Sequence, residues 1–240
     1  MNKKKLIIRK FIKKYDNRTI LDIEDFIFSQ GSIYTVLGRN GAGKTTLFNC
    51  IDGDILFDEG EILYDDGSVE SKLAFDDVGI VTSSPVLPEF LTGYEFIDFF
   101  IRLNGQGKHT EPIEYYLDLV QINERDRHKL IKDYSYGMKN KIQLLCCFIK
   151  NPSVILLDEP LTSFDLIVSH EIKEFLLKIK DEHIIIMSTH IMQLAQDISD
   201  EIVLLHQSKL SLIDSEELKK ADFEEYVIGL LKGGDSNADV

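Results

Sequence analysis

No run of apolar residues in this 240-residue sequence approaches the roughly 18 that a bilayer-spanning helix requires. The start, Met1-Asn2-Lys3-Lys4-Lys5-Leu6-Ile7-Ile8, is basic, but Arg9 and Lys10 cut the apolar stretch short of a secretory signal. A soluble, cytoplasmic chain is therefore expected. Cysteine is scarce: there are three, with Cys146 and Cys147 adjacent in an apolar helical stretch. That excludes a disulfide framework and predicts buried, reduced thiols. Basic residues are outnumbered 27 to 41, giving a net charge of −14 and a pI near 4.8. A broad phosphate-backbone surface is excluded, and no nucleic-acid partner is expected. Internal repeats and low-complexity stretches are also missing.

The charge that is present is uneven. Lys3, Lys4, Lys5, Arg9, Lys10, Lys13 and Lys14 crowd the start, whereas Glu216, Glu217, Asp222, Glu224 and Glu225 load the end. A basic first strand suits anionic lipid headgroups. It suits equally a strand edge that lysines keep from aggregating.

The most informative segment follows the apolar run Ile33-Tyr34-Thr35-Val36-Leu37. It reads Gly38-Arg39-Asn40-Gly41-Ala42-Gly43-Lys44-Thr45-Thr46. Two glycines with four residues between them, then lysine and threonine, between a strand and a helix, make a phosphate-binding loop. The glycines let successive N–H groups from Asn40 to Thr46 turn toward phosphate oxygens, and the helix start adds its positive dipole end. Lys44 reaches the outer phosphates, and the Thr45 hydroxyl is a Mg²⁺ ligand. A nucleoside triphosphate is the expected ligand.

Hydrophobic periodicity organises the rest. Strands are predicted near 5–12, 20–28, 33–37, 61–64 and 78–82, with a helix at 44–52 and turns at Asp58-Glu59-Gly60 and Asp65-Asp66-Gly67. From 91 to 150 the pattern is helical, over 92–103, 111–120 and 135–150. Strand and helix then alternate over 154–157, 166–179, 184–187, 192–198 and 202–205, and 215–231 reads as a last amphipathic helix. The late strands are unbroken Ile/Val/Leu runs, as in a parallel sheet covered on both faces. The expected architecture is one α/β domain over 1–240 with a mainly parallel sheet, interrupted by a helical insert at about 85–150.

Two further strand ends carry chemistry. Val154-Ile155-Leu156-Leu157 runs into Asp158-Glu159-Pro160, placing a carboxylate at the nucleotide crevice. Asp158 suits Mg²⁺, and Glu159 suits a general base for the attacking water. His190 closes the run from Ile184 to Thr189 at the same sheet edge, where an imidazole would contact the γ-phosphate.

Ser135-Tyr136-Gly137-Met138-Lys139, followed by an apolar helix and the Asp-Glu-Pro strand, resembles the signature motif of ABC-transporter ATPase subunits, whose usual form is Leu-Ser-Gly-Gly-Gln. Asp158 lies 23 residues beyond Ser135, a spacing that fits that family. The resemblance extends over nearly the whole chain. It implies a P-loop core with an N-terminal antiparallel β subdomain and a helical signature subdomain. It places Tyr15 against adenine, Ser163-Phe164-Asp165 at a dimer interface and His190 as a switch. It further implies ATP and Mg²⁺ as cofactors, and head-to-tail closure of two copies, or of this chain with a second ATPase subunit. Ser135 and Gly137 would then face the γ-phosphate held by the other copy. A separate integral-membrane permease would convert closure into transport, with the chain peripheral at the inner face of the membrane.

Three departures stand out. Tyr136 replaces the first signature glycine and Met138 the glutamine, a variant similar to exporter-type subunits. Ser83 or Ser84 occupies the region where the family has a Mg²⁺-ligating glutamine, and Phe164 stands where glycine is common. Residues 85–103, with Phe90, Tyr94, Phe96, Phe99 and Phe100, are the expected permease contact, although five aromatics in eleven residues must include some core. A soluble ABC ATPase acting on ribosomes or DNA is the alternative. It usually carries two cassettes or long coiled-coil insertions, and neither is found here.

Overall fold

The computed structural model describes residues 3–104, 111–160, 166–214, 216, 220 and 222–233. The chain opens with β1 (Lys5–Tyr15), β2 (Arg18–Ser29) and β3 (Ile33–Leu37), followed by α1 (Lys44–Asp52). Next come β4 (Glu59–Asp65), β5 (Glu70–Lys72) and β6 (Val78–Val81). A helical stretch contains α2 (Gly93–Asn104), α3 (Ile113–Leu119), α4 (Glu124–Arg127) and α5 (Tyr136–Lys150). The chain then alternates through β7 (Val154–Asp158), α6 (Leu166–Ile179), β8 (Ile184–Thr189) and α7 (Met192–Ile198). It finishes with β9 (Glu201–His206), β10 (Lys209–Leu212) and α8 (Phe223–Gly233).

Two sheets result. The first is antiparallel, in the order β2-β1-β4-β5. The second runs β10-β9-β3-β8-β7-β6 and is parallel except for the β9–β10 hairpin. Every residue of β3, β7 and β8 is buried. Alternation explains why apolar residues occupy both faces. Tyr34, Val36, Leu156 and Ile186 face a core shared with the antiparallel sheet and with Leu47, Phe48 and Ile51 of α1. Ile33, Ile155, Leu157, Ile185 and Met187 face Ile172, Phe175, Leu176 and Ile179 of α6. Helix α1 is thus clamped by two sheets, and the loop before it is anchored at both ends.

The helical stretch has its own core, built on Phe96, Ile97, Leu117, Ile131 and Tyr134. Helix α5 belongs to both units. Its Ile142, Leu145, Cys146 and Ile149 face the helical core, while Leu144 and Cys147 pack under the parallel sheet. Cys146 and Cys147 are free and buried, as predicted, and so is Cys50. Burial pushes the Cys147 thiol up to about 12 and that of Cys50 up to about 11, so both stay protonated and unreactive.

Several local expectations change. β1 is not an edge: it lies between β2 and β4. Its cations are largely answered within the fold, Arg9 by Glu70 at 2.6 Å, Lys13 by Asp58 at 3.7 Å and Lys14 by Glu59 at 3.8 Å. The strand-edge explanation therefore does not apply to them. Glu59 and Gly60 belong to β4 rather than to a turn, because a bulge at Lys10 (φ 46°) shifts the register and sets Ile12 opposite Glu59. The described part of the last helix is Phe223–Gly233, while most of the predicted stretch between 215 and 222 lies outside the described residues. Among the described residues no helix is long and apolar enough to cross a membrane.

Candidate nucleotide site

Parallel pairing brings the ends of four strands to one edge. Leu37 is in register with Thr189, Asp158 with Ser188, and Val81 with Leu157. Phosphate loop, carboxylates and His190 therefore converge, although more than 140 residues separate the first from the last.

The loop closes an open cleft of about 400 Å³ lined by Tyr15, Ile20, Asn40, Gly41, Gly43, Lys44, Thr45, Thr46 and Glu159. Gly43 sits at φ 108°, and a Cβ there would lie 3.0 Å from Ile20 Cγ2, so backbone conformation and space both demand glycine. Gly38 is fixed by proximity instead, since its Cβ would lie 2.8 Å from the Leu205 carbonyl. Gly43 caps α1 with no side-chain acceptor, which leaves the N–H groups of the first turn without a capping side chain at the cleft. Ala42 differs from its neighbours: its methyl packs against the core, and its N–H donates to Arg39 O at 3.1 Å. Its contribution to the cleft is backbone shape alone.

Lys44 is 6% exposed, and its Nζ donates to Gly38 O at 2.8 Å. The same ammonium lies 3.4 Å from Glu159 Oε1. Thr45 Oγ1 donates to Asp158 Oδ2 at 2.9 Å. Hydroxyl and carboxylate thus stand together as two hard oxygen donors, the set that Mg²⁺ takes from protein before completing its shell with water and phosphate. Among the described residues no cluster of three or more His, Cys, Asp or Glu side chains competes for a metal.

Glu159 occupies the left-handed region at φ 50°, a strain of about 1–3 kcal/mol for a non-glycine residue. The turn aims its carboxylate between Lys44 and His190, whose Nδ1 lies 3.0 Å from Oε2 and 3.1 Å from Oε1. A carboxylate only accepts, so Nδ1 carries the proton. Sequence reasoning missed the residue that holds this arrangement. Ser188 Oγ donates to Asp158 Oδ1 at 2.6 Å and accepts the Glu159 N–H at 2.9 Å, orienting both acids. Its signal was a serine inside the buried run Ile-Ile-Ile-Met-Ser-Thr, where a hydroxyl must find partners.

Tyr15, 45% exposed at the end of β1, forms one wall of the cleft, with Lys13 Nζ 4.9 Å from its ring centroid. Ser135 and Gly137 do not line this cleft. Ser135 is the N-cap of α5, its Oγ accepting the Met138 N–H at 3.2 Å, and it stands exposed on a different part of the surface. Residues 163–165, read as the dimer-crossing segment, lie outside the described residues. The aromatic group divides as its number required: Phe96 is core, whereas Phe90 and Phe99 are 79% and 56% exposed.

Comparison with known proteins agrees with this geometry. Residues 21–162 match the family described as ABC transporter. The ABC transporter ATP-binding protein YhcH of Bacillus subtilis is 31% identical over 92% of this chain, which spans 72% of that protein. The bacitracin transport ATP-binding protein BcrA of Enterococcus faecalis is 29% identical over 82% of this chain, which spans 65% of that relative. A solved ATP-binding subunit of an ABC transporter superposes with a TM-score of 0.78 at 26% identity, covering 95% of this chain and 99% of that one. The chain belongs to the ABC transporter family, with the ATPase fold of its ATP-binding subunits.

Proposed function

We infer that this ABC ATPase hydrolyses ATP as one of two such chains closed head-to-tail, and that it drives a separate integral-membrane permease. The observation that carries the reading is a division of labour. Lys44, Thr45, Asp158, Glu159 and His190 form one connected cluster, while the exposed N-terminus of α5 at Ser135 and Gly137 stays outside the cleft. An anion-binding helix start that serves no ligand in its own chain is suited to the open side of a second copy's nucleotide.

Each residue then has a role. N–H groups between Asn40 and Thr46, that of Ala42 excepted, and the Lys44 ammonium hold the phosphates, and the adenine rests on Tyr15. Thr45 and Asp158 are the residues that would hold Mg²⁺, whose chemistry there is to neutralise phosphate charge. Glu159 takes a proton from the attacking water. His190 hydrogen-bonds Glu159 through its Nδ1–H, which stays on the ring, orients that carboxylate and leaves Nε2 toward the leaving phosphate. On this reading 1–240 is one ATPase domain with residues 85–150 as its helical insert. The exposed Val86, Phe90, Phe99 and Leu103 form the permease-facing surface, and the chain is peripheral at the inner membrane face. Transport outward is favoured by the form of the Ser135–Lys139 segment.

Glu159→Gln tests the core of the proposal. Hydrolysis should fall by about 10²–10⁴-fold, with ATP binding kept and an ATP-bound dimer accumulating on size exclusion. Normal turnover would remove Glu159 from the mechanism. Tagging the chain in its native cell and solubilising the membranes gently should recover a polytopic membrane protein in stoichiometric amount. Recovery of ribosomes or nucleic acid without one would favour the soluble alternative.

A further inference from the structure

Two departures from the family pattern touch one another. The loop after β6 holds Ser83 and Ser84 where the family has its glutamine, and the signature segment holds Tyr136 where it has glycine. In the fold the Tyr136 hydroxyl donates to the Ser83 carbonyl. Nor is that contact alone. With its amide assigned so that neither end faces its own kind, Gln143 accepts the Thr82 backbone N–H and donates to the Thr82 carbonyl, each at 3.2 Å. Lys139 Nζ pairs with Glu89 Oε1 at 2.8 Å and holds that carboxyl below the usual range. Positions 136, 139 and 143 recur at helical spacing, so one face of α5 grips the loop at three points.

The other end of this loop is the nucleotide edge. β6 pairs in parallel with β7, Val81 opposite Leu157, so Thr82 leaves the sheet beside Asp158. Asp158 in turn accepts from Thr45 at 2.9 Å. A short path of strand pairing and side-chain hydrogen bonds thus runs from a chain's own phosphate site to its own Ser135.

We propose that Tyr136 is a positioning residue. Its hydroxyl, aided by Gln143, fixes the start of α5 to the strand end beside Asp158, so that a shift at one nucleotide moves the Ser135 surface serving the other. This rests on the head-to-tail reading above. The Tyr136 ring is 42% exposed, so water weakens the hydrogen bond in the open chain. Covering that surface with a second copy removes the water and strengthens the bond. The tie is therefore tightest in the closed state, as a coupling element requires.

The test uses the purified chain in the Glu159→Gln background, where ATP-bound dimers are expected to persist. Adding Tyr136→Phe deletes one oxygen from an exposed ring and should weaken ATP-dependent dimerisation about tenfold. ATP affinity of the monomer should stay within about twofold, because the Lys44 loop is untouched. Gln143→Leu, which breaks the neighbouring contact without altering the signature surface, should act in the same direction. In otherwise native chains, both variants should lower the Hill coefficient of hydrolysis toward one. Unchanged dimerisation in both variants would overturn the inference. A loss confined to Tyr136→Phe would also overturn it, since the hydroxyl would then act across the interface and not through the loop. No ATP-dependent dimer from Glu159→Gln alone would instead remove the closure reading itself, and this inference with it.

Discussion

Helix α1 begins at the phosphate loop and α5 at the signature segment, and the fold sets their N-termini in opposite environments. The start of α1 is enclosed: two sheets clamp the helix, Lys44 is buried, and Gly43 caps it with no side-chain acceptor. The start of α5 is exposed, and the Ser135 hydroxyl already accepts one of its N–H groups. On the proposed reading the first is an anion cradle complete within one chain, and the second is half of a site, satisfied locally and positioned by the loop it grips. The same helix dipole serves both, so environment and not local sequence separates the catalytic cradle from the complementary surface.

Lys44→Ala is the strongest way to test this contrast. It removes the buried cation that lines the cleft, so ATP affinity in a fluorescent-nucleotide titration should fall by on the order of 100-fold or more. Unchanged affinity would mean that α1 is not the cradle. Phe96→Ala against Phe99→Ala probes the unit that carries α5. Phe96 fills the helical core, and its truncation should cost about 3–5 kcal/mol in chemical denaturation. Phe99, more than half exposed, should change stability by less than about 0.5 kcal/mol while weakening permease association. Equal losses of stability would refute the division between core and docking face.

Ser135→Ala sharpens the comparison from the other side. Losing the cap should cost about 1 kcal/mol. Hydrolysis should fall about tenfold or more as the closed site loses a hydrogen bond, whereas the isolated chain should bind nucleotide as before. A large drop in binding by the monomer would place Ser135 in its own chain's cleft. The smallest effect concerns the support beneath the cradle. His183 is buried just before β8, and Nδ1 donates to Pro152 O at 2.7 Å. Burial lowers its pKa in the fold, so below about pH 6.5 the unfolded chain binds the proton more readily. That part of the stability is present above about pH 6.5 and lost as pH falls through and below it. His183→Asn should flatten thermal melting over that window. An unchanged slope would show that the imidazole contributes nothing to it.

Much of this was legible in residue order. The helix predicted at 44–52 and the strand at 33–37 match α1 and β3 residue for residue, and α6 and α7 agree equally well. These segments are long or strongly periodic, and their ends carry punctuation such as Gly43 and Gly53. Boundaries drifted where tertiary pairing settles them, as where the Lys10 bulge recruits Glu59 into β4. Ser188 escaped notice because its importance lies in two neighbours 29 and 30 residues upstream. The partnership of Tyr136 with Ser83 escaped for the same reason, being a contact between two positions that each look like a defect in isolation.

Sequence by itself determined the chemistry on offer: a phosphate loop, paired carboxylates, a histidine at a strand end and a signature segment, each recognisable because spacing along the chain fixes local backbone geometry. Only the tertiary structure decided which of these act together. Parallel register delivers Thr45, Asp158, Glu159 and His190 to one edge, and Ser188 orients the acids there. The same packing leaves Ser135 outside the cleft and ties Tyr136 to the loop beside Asp158. Those are relations between distant strands, and they exist only once burial of two sheet faces has fixed the register.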